Sequence, residues 1–250
     1  MKQLFKYVLG SLAVGFVLIG CAKISPEVMK ESVYTITPYE KKKSPVVFFF
    51  QGSGGSNEQS YEWSSWFEKH GVASVIIDNA KVRNMQRLNS INYGSDLTVA
   101  LEAVKDNPEL DLSRYALMGF SRGGTAALNS ASFLTKGQTH ADLVFALYPG
   151  DNKGCPNTHG EDTDVRVFYG DLDDWGTYKG IRNTCKAMTT WSDNATFHLL
   201  KDAHHAYDGR RTGKWSCCSG KTFTSKPNKK ATNETKKIIL AAMKKKWNIK

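Results

Sequence analysis

Residues 119–124 read GFSRGG, which places Ser121 between Gly119 and Gly123, straight after the apolar run of Ala116, Leu117 and Met118. A serine hydroxyl is a weak nucleophile by itself. It becomes a strong one when a histidine takes its proton and a carboxylate orients that histidine. Both partner types occur downstream. FYGDLDDW, residues 168–175, carries Asp171, Asp173 and Asp174, and DAHHAYD, residues 202–208, carries His204 and His205. The chemistry this set could perform is acyl transfer through a covalent intermediate on Ser121.

A Gly-x-Ser-x-Gly pattern is weak evidence until its context is known. The motif needs a buried strand before it and a helix after it, so that the turn between them projects the serine. RYALMGF supplies the strand. RGGTAALNSASFL supplies a helix from about Arg122 to Leu134, with small residues in its first turn. Side chains at positions 119 and 123 would collide across so tight a bend. The acids and histidines follow later strands, VRVFYGD (165–171) and ATFHLL (195–200), in the order serine, acid, base.

Further elements alternate in the same way. PVVFFFQ (45–51), ASVIID (73–78) and LVFALYP (143–149) are continuous apolar runs. SYEWSSWFEKHG, residues 96–106, residues near 178–191 and residues from about 233 to 247 show helical patterns. Short Val-, Ile- and Phe-rich runs alternating with helices predict an α/β chain with a mostly parallel central sheet covered by helices on both faces. No linker, repeat or change of composition divides it, so residues 33–250 are expected to form one domain. Residues 208–230, rich in Lys, Gly, Ser and Thr, read as a long loop bordering the site.

Five stretches, FFFQGSGG, VASVIIDN, LMGFSRGG, FYGDLDDW and DAHHAYD, together resemble the dienelactone hydrolase branch of the α/β-hydrolase superfamily. The resemblance spans nearly the whole chain after residue 32. It implies the single-domain α/β-hydrolase fold, with Ser121 as nucleophile, Asp173 as acid and His205 as base. It also implies an oxyanion hole made by the backbone N–H groups of Arg122 and of Ser53, the latter on the QGSGG loop. Members named for the lactone reaction carry Cys as nucleophile. Ser121 therefore points to an ordinary serine esterase, and no metal or cofactor is implied. Only about fifteen residues join LVFALYPG to VRVFYGD. This leaves little room for a lid and suggests an open pocket for small or polar acyl esters or lactones. A peptidase or amidase with the same three residues, and a non-catalytic binding protein on this scaffold, are the alternatives.

The chain begins with Lys2 and Lys6, an apolar run from Tyr7 to Ile19, and LIGC ending at Cys21. A basic start and a short apolar segment describe a secretory signal. LIGC resembles the lipobox of bacterial lipoproteins, which implies cleavage after residue 20, lipid on Cys21 and a tether over 21–32. The expected location is a membrane-anchored lipoprotein outside the cytoplasm. The net charge of +10 sits in short lysine clusters such as Lys41–Lys43 and Lys244–Lys246. These lack the aromatic interleaving of a nucleic-acid surface, so no nucleic-acid partner is expected. Cys155, Cys185, Cys217 and Cys218 match no zinc spacing. One or two disulfides are expected in an exported chain, with Cys217 and Cys218 bonding outward to Cys155 or Cys185.

Overall fold

The computed structural model describes residues 25–36, 43–53, 58–78, 93–132, 140–150, 155, 162–190, 192–217 and 220–249. The expected signal segment 1–20 and Cys21 lie outside these residues. The strands are β1 Val33–Ile36, β2 Ser44–Phe50, β3 Ala73–Ile77, β4 Leu110–Phe120, β5 Leu143–Leu147, β6 Asp164–Gly170, β7 Ala195–Leu200, β8 Gly213–Cys217 and β9 Lys221–Ser225. The helices are α1 Pro26–Lys30, α2 Glu58–Glu68, α3 Tyr93–Val104, α4 Arg122–Ser132, α5 Asp174–Thr177, α6 Ile181–Thr190 and α7 Lys229–Trp247.

Seven strands form one sheet in the order β1-β3-β2-β4-β5-β6-β7. β1 runs antiparallel to β3, and the other pairs are parallel. Every residue of β2, β3 and β5 is buried, as strands covered on both faces require. Phe49 stacks on Phe120 and meets Phe67 edge-on, which ties β2, β4 and α2 into one core. From β2 the chain steps to β3 on one side, then crosses back to β4 on the other. Such a reversal opens a crevice at the carboxyl ends of the strands. In register, Phe50 faces Gly119, Phe120 faces Leu147, Leu147 faces Phe168 and Gly170 faces Leu200. The turns that follow these residues therefore emerge along one edge of the sheet.

Three expectations need correction. First, the stretch expected to be a loop, residues 208–230, contains the two-stranded β8–β9 hairpin and the start of α7. Trp215 pairs with Phe223 across that hairpin. The alternation that signals a strand is present in KWSC and KTFTS, but lysine and threonine on the outward positions mask it. Second, α7 starts at Lys229 rather than near 233, because the Asn228 side chain accepts from the Ala231 N–H and caps it there. Third, Cys155 and Cys185 are disulfide-bonded to each other, so neither is open to Cys217 or Cys218. Cys185 is a buried position on α6, and the fold brings its Cα to 4.8 Å from that of Cys155. Cys217 ends β8, and Cys218 lies outside the described residues. Within the stretch read as a tether, α1 is ordered and Met29 is wholly buried in the core.

The disulfide closes a loop of sequence separation 30, for which loop-closure entropy gives a stabilisation of about 3.6 kcal/mol. The double variant Cys155→Ala/Cys185→Ala should lose roughly that amount in urea unfolding; an unchanged midpoint would show that the bond contributes little. A Cβ on Gly123 would lie 2.0 Å from the Phe50 carbonyl oxygen. Gly123→Ala should therefore cost at least ~3 kcal/mol or abolish soluble expression. Gly71→Ala, at φ +71° with open space around it, should cost only about 1 kcal/mol.

Candidate active site

The turn at Ser121 is built by backbone contact. Ser121 has φ +53°, a left-handed conformation that non-glycine residues seldom hold without support. The support comes from β5 and its exit. Ser121 donates its N–H to Leu147 O and its carbonyl accepts from the N–H groups of Gly150 and Gly124, each at 2.9–3.0 Å. A Cβ at Gly119 would come within 1.9 Å of Gly123 O. Only bare backbone fits where α4 folds back on β4. The Ser121 hydroxyl projects from the end of β4 and is partly exposed.

Asp173 follows β6 and is fully buried. Its side chain caps α5, with Oδ1 accepting from Gly176 N–H at 2.7 Å. His205 follows β7 on a loop whose backbone is left-handed at Asp202 and Ala206. A Cβ on Gly170 would sit 1.9 Å from Ala203 O, so glycine at the end of β6 lets the acid loop and the histidine loop touch. Leu172 N–H donates to Ala203 O across the same seam.

The structure brings the three side chains together. His205 Nδ1 lies 3.0 Å from Asp173 Oδ2 and 3.2 Å from Oδ1, and His205 Nε2 lies 3.0 Å from Ser121 Oγ. A carboxylate can only accept, so Nδ1 carries the proton and Nε2 presents its lone pair to the serine hydroxyl. The other candidates are placed elsewhere. Both carboxylate oxygens of Asp174 accept from Thr224 N–H, which pins β9. Asp171 Oδ1 and His204 Nδ1 are buried without a hydrogen-bond partner.

Arg122 opens α4 directly after Ser121, with its side chain exposed. Ser53 sits at the turn after β2, while Gly54 and Gly55 of the QGSGG loop lie outside the described residues. Gly52 brings this turn to Ser121: a Cβ there would lie 3.8 Å from Ser121 Cβ. Gln51 Oε1 accepts from Ser60 Oγ at 2.5 Å and so ties the turn to α2.

Sequence reasoning missed the polar layer beneath His205. Tyr148, at φ +37°, places its ring edge-on to the imidazole, 4.8 Å between centroids. Its hydroxyl donates to Asp208 Oδ1 at 2.7 Å and accepts from Gln59 Nε2 at 2.6 Å, while Trp63 Nε1 donates to Asp208 Oδ2. Burial pushes the Asp208 carboxyl up from its usual range, opposed by the hydrogen bonds from Tyr148 and Trp63. Burial, then the Asp208 charge, raises the Tyr148 phenol. Asp208 ends the DAHHAYD stretch, so its presence was visible but its depth was not. Tyr207 hydrogen-bonds Thr235 on α7 and is wholly buried core. The neighbouring Tyr169 phenol is likewise raised by burial and by Asp173, and it donates to Pro149 O. Among the described residues no group of three His, Cys, Asp or Glu side chains could hold a metal ion.

Comparison with solved structures places this arrangement on a known scaffold. A thermophilic esterase from the planctomycete Thermogutta terrifontis is similar with a TM-score of 0.59 at 15% identity, covering 85% of this chain and 86% of that one. A putative dienelactone hydrolase from Klebsiella pneumoniae is similar with a TM-score of 0.58 at 16% identity, covering 84% and 90%. No curated protein sequence matches the chain. The family model for dienelactone hydrolases matches residues 78–246, a span that takes in the Ser121 elbow, the Asp173 loop and His205. The chain belongs to the dienelactone hydrolase family.

Proposed function

We propose that the protein is a serine hydrolase that cleaves carboxylic esters, small or polar acyl esters or lactones among them, through an acyl-enzyme on Ser121. The observation that carries this reading is the unbroken hydrogen-bonded line Asp173–His205–Ser121, at 3.0 Å per link. His205 Nε2 takes the hydroxyl proton as Ser121 Oγ attacks the ester carbonyl. Asp173 holds the imidazole tautomer and stabilises the imidazolium that forms. The oxyanion settles against the backbone N–H groups of Arg122 and Ser53, each donor contributing about 3 kcal/mol to the barrier reduction. His205 then gives its proton to the leaving alcohol. Water, deprotonated by the same nitrogen, releases the acid and restores Ser121. The burial of Asp173 and the rigid turn at Ser121 support this assignment, because both fix geometry before substrate arrives.

The same proposal places the protein outside the cytoplasm, with residues 1–20 removed and Cys21 lipidated. A disulfide in a chain with such a leader suits an oxidising compartment. Intact-mass measurement of protein from the membrane fraction should give a chain starting at a diacylated Cys21; any other start overturns the anchor.

A fluorophosphonate probe should label the folded protein at Ser121, and Ser121→Ala should abolish labelling. His205→Ala should lower kcat on p-nitrophenyl acetate at least about 10³-fold, with His204→Ala within a few-fold of wild type. Loss with His204→Ala and not with His205→Ala would overturn the assignment of the base.

A further inference from the structure

The β8–β9 hairpin has no part in the acid–base line, yet it delivers an aromatic ring to it. Among the described residues, three rings contact the His205 imidazole: Tyr148, Trp175 and Trp215, the last two at 6.3 and 6.0 Å between centroids. Tyr148 and Trp175 are buried, whereas Trp215 is partly exposed. Trp215 therefore offers an aromatic surface to whatever occupies the space beside the imidazole. Behind it stand Trp175 at 5.6 Å and Phe223 at 5.1 Å, and Phe223 also packs edge-on to Trp175 at 4.6 Å.

This wall is rigid. Trp215 Nε1 donates to Ser225 Oγ at 3.0 Å, and Ser225 forms a backbone bridge with His205 itself. The Asp174 carboxylate holds Thr224 N–H. An isolated two-stranded hairpin is marginal in water; here these ties and the buried Phe223 fix it to the site. Trp175 is fixed as well, its Nε1 donating to Gly150 O at 2.9 Å. Gly150 is where the wall meets the nucleophile. A Cβ there would lie 2.7 Å from Trp175 Nε1 and 2.8 Å from Ser121 Oγ. Glycine at this position puts no side chain of its own between the serine hydroxyl and the indole.

The direction of the chemistry says which half of the ester meets the wall. His205 Nε2 must hand its proton to the leaving oxygen, so the alcohol half lies on the imidazole side of Ser121 Oγ. A ring packed against the imidazole borders that half. We propose that Trp215 is a specificity-determining residue, and that the enzyme prefers esters whose alcohol half carries a planar aromatic group stacking on Trp215, with Trp175 and Phe223 behind it. This rests on the ester-hydrolase reading above.

The test is kcat/KM for three acetates, benzyl, cyclohexylmethyl and ethyl, and for methyl benzoate against methyl cyclohexanecarboxylate. Wild type should favour benzyl over cyclohexylmethyl acetate by roughly 3- to 10-fold, the size of one aromatic pair. Trp215→Ala should erase most of that ratio and Trp215→Phe should keep most of it, with benzyl acetate losing several-fold more than ethyl acetate in the alanine variant. Comparing that ratio between wild type and each variant cancels the intrinsic reactivity of the leaving groups. Thermal unfolding checks that each variant is folded, and Trp215→Leu replaces the alanine variant if that one is not. A benzyl preference untouched by Trp215→Ala or Trp215→Leu overturns the proposal. So does an equal loss on all three acetates, which marks a structural role, or an aromatic preference confined to methyl benzoate. An enzyme that cleaves none of the esters and takes no fluorophosphonate label overturns the ester-hydrolase reading as well, which separates the two failures.

Discussion

Everything at the site depends on one close approach of backbone to backbone. Helix α4 meets the ends of β2 and β4 with no side chain between them at Gly119 and Gly123. That contact forces the chain through a left-handed residue at Ser121. The strain is held by the hydrogen bonds to Leu147 O and from the N–H groups of Gly150 and Gly124 rather than relaxed. The same approach sets the first turn of α4, with Arg122 at its start, beside the turn after β2. The proposed nucleophile and oxyanion donors are thus positioned by one packing event.

Asp173 and His205 are brought together by a second seam of the same kind. Gly170 lets the loop after β6 lie against the loop after β7, and Leu172 N–H reaches Ala203 O across it. Asp173 and His205, 32 residues apart in sequence, are then neighbours. Beneath them a buried carboxylate, Asp208, gathers Tyr148 and Trp63 and holds the Tyr148 ring on the imidazole. Buried polar groups of this kind fix one arrangement, because any shift leaves a donor or acceptor unmatched in a low-dielectric interior. The imidazole is confined from below by that network and from the side by the hairpin.

Much of this was legible in the sequence, for identifiable reasons. Strands buried on both faces write themselves as unbroken apolar runs, and VVFFF, SVII and LVFAL could hardly be anything else. The elbow was legible because a tight strand-to-helix turn demands glycine at fixed offsets. Choosing Asp173 among three acids, and His205 between two histidines, took the family resemblance. Composition alone ranks them equally, and only the fold shows Asp174 turned to Thr224 and His204 left aside. The hairpin was missed because its apolar face is two residues, Trp215 and Phe223, set among lysines and threonines. The disulfide partner was missed because proximity of Cys155 to α6 is a tertiary fact, and sequence spacing has no bearing on it.

The carboxylate of Asp173 does two jobs with its two oxygens. Oδ2 makes the closer contact with His205 Nδ1, while Oδ1 closes the first turn of α5 by accepting from Gly176 N–H. Helix capping and the contact with His205 are therefore not separable by deleting the side chain. Alanine at this position removes both, and a dead enzyme would not say which mattered. Asparagine keeps an oxygen for the cap but turns an NH2 donor toward His205 Nδ1, so it removes the acceptor along with the charge. At position 173 the fold and the chemistry thus set different lists of tolerated residues, and aspartate is common to both.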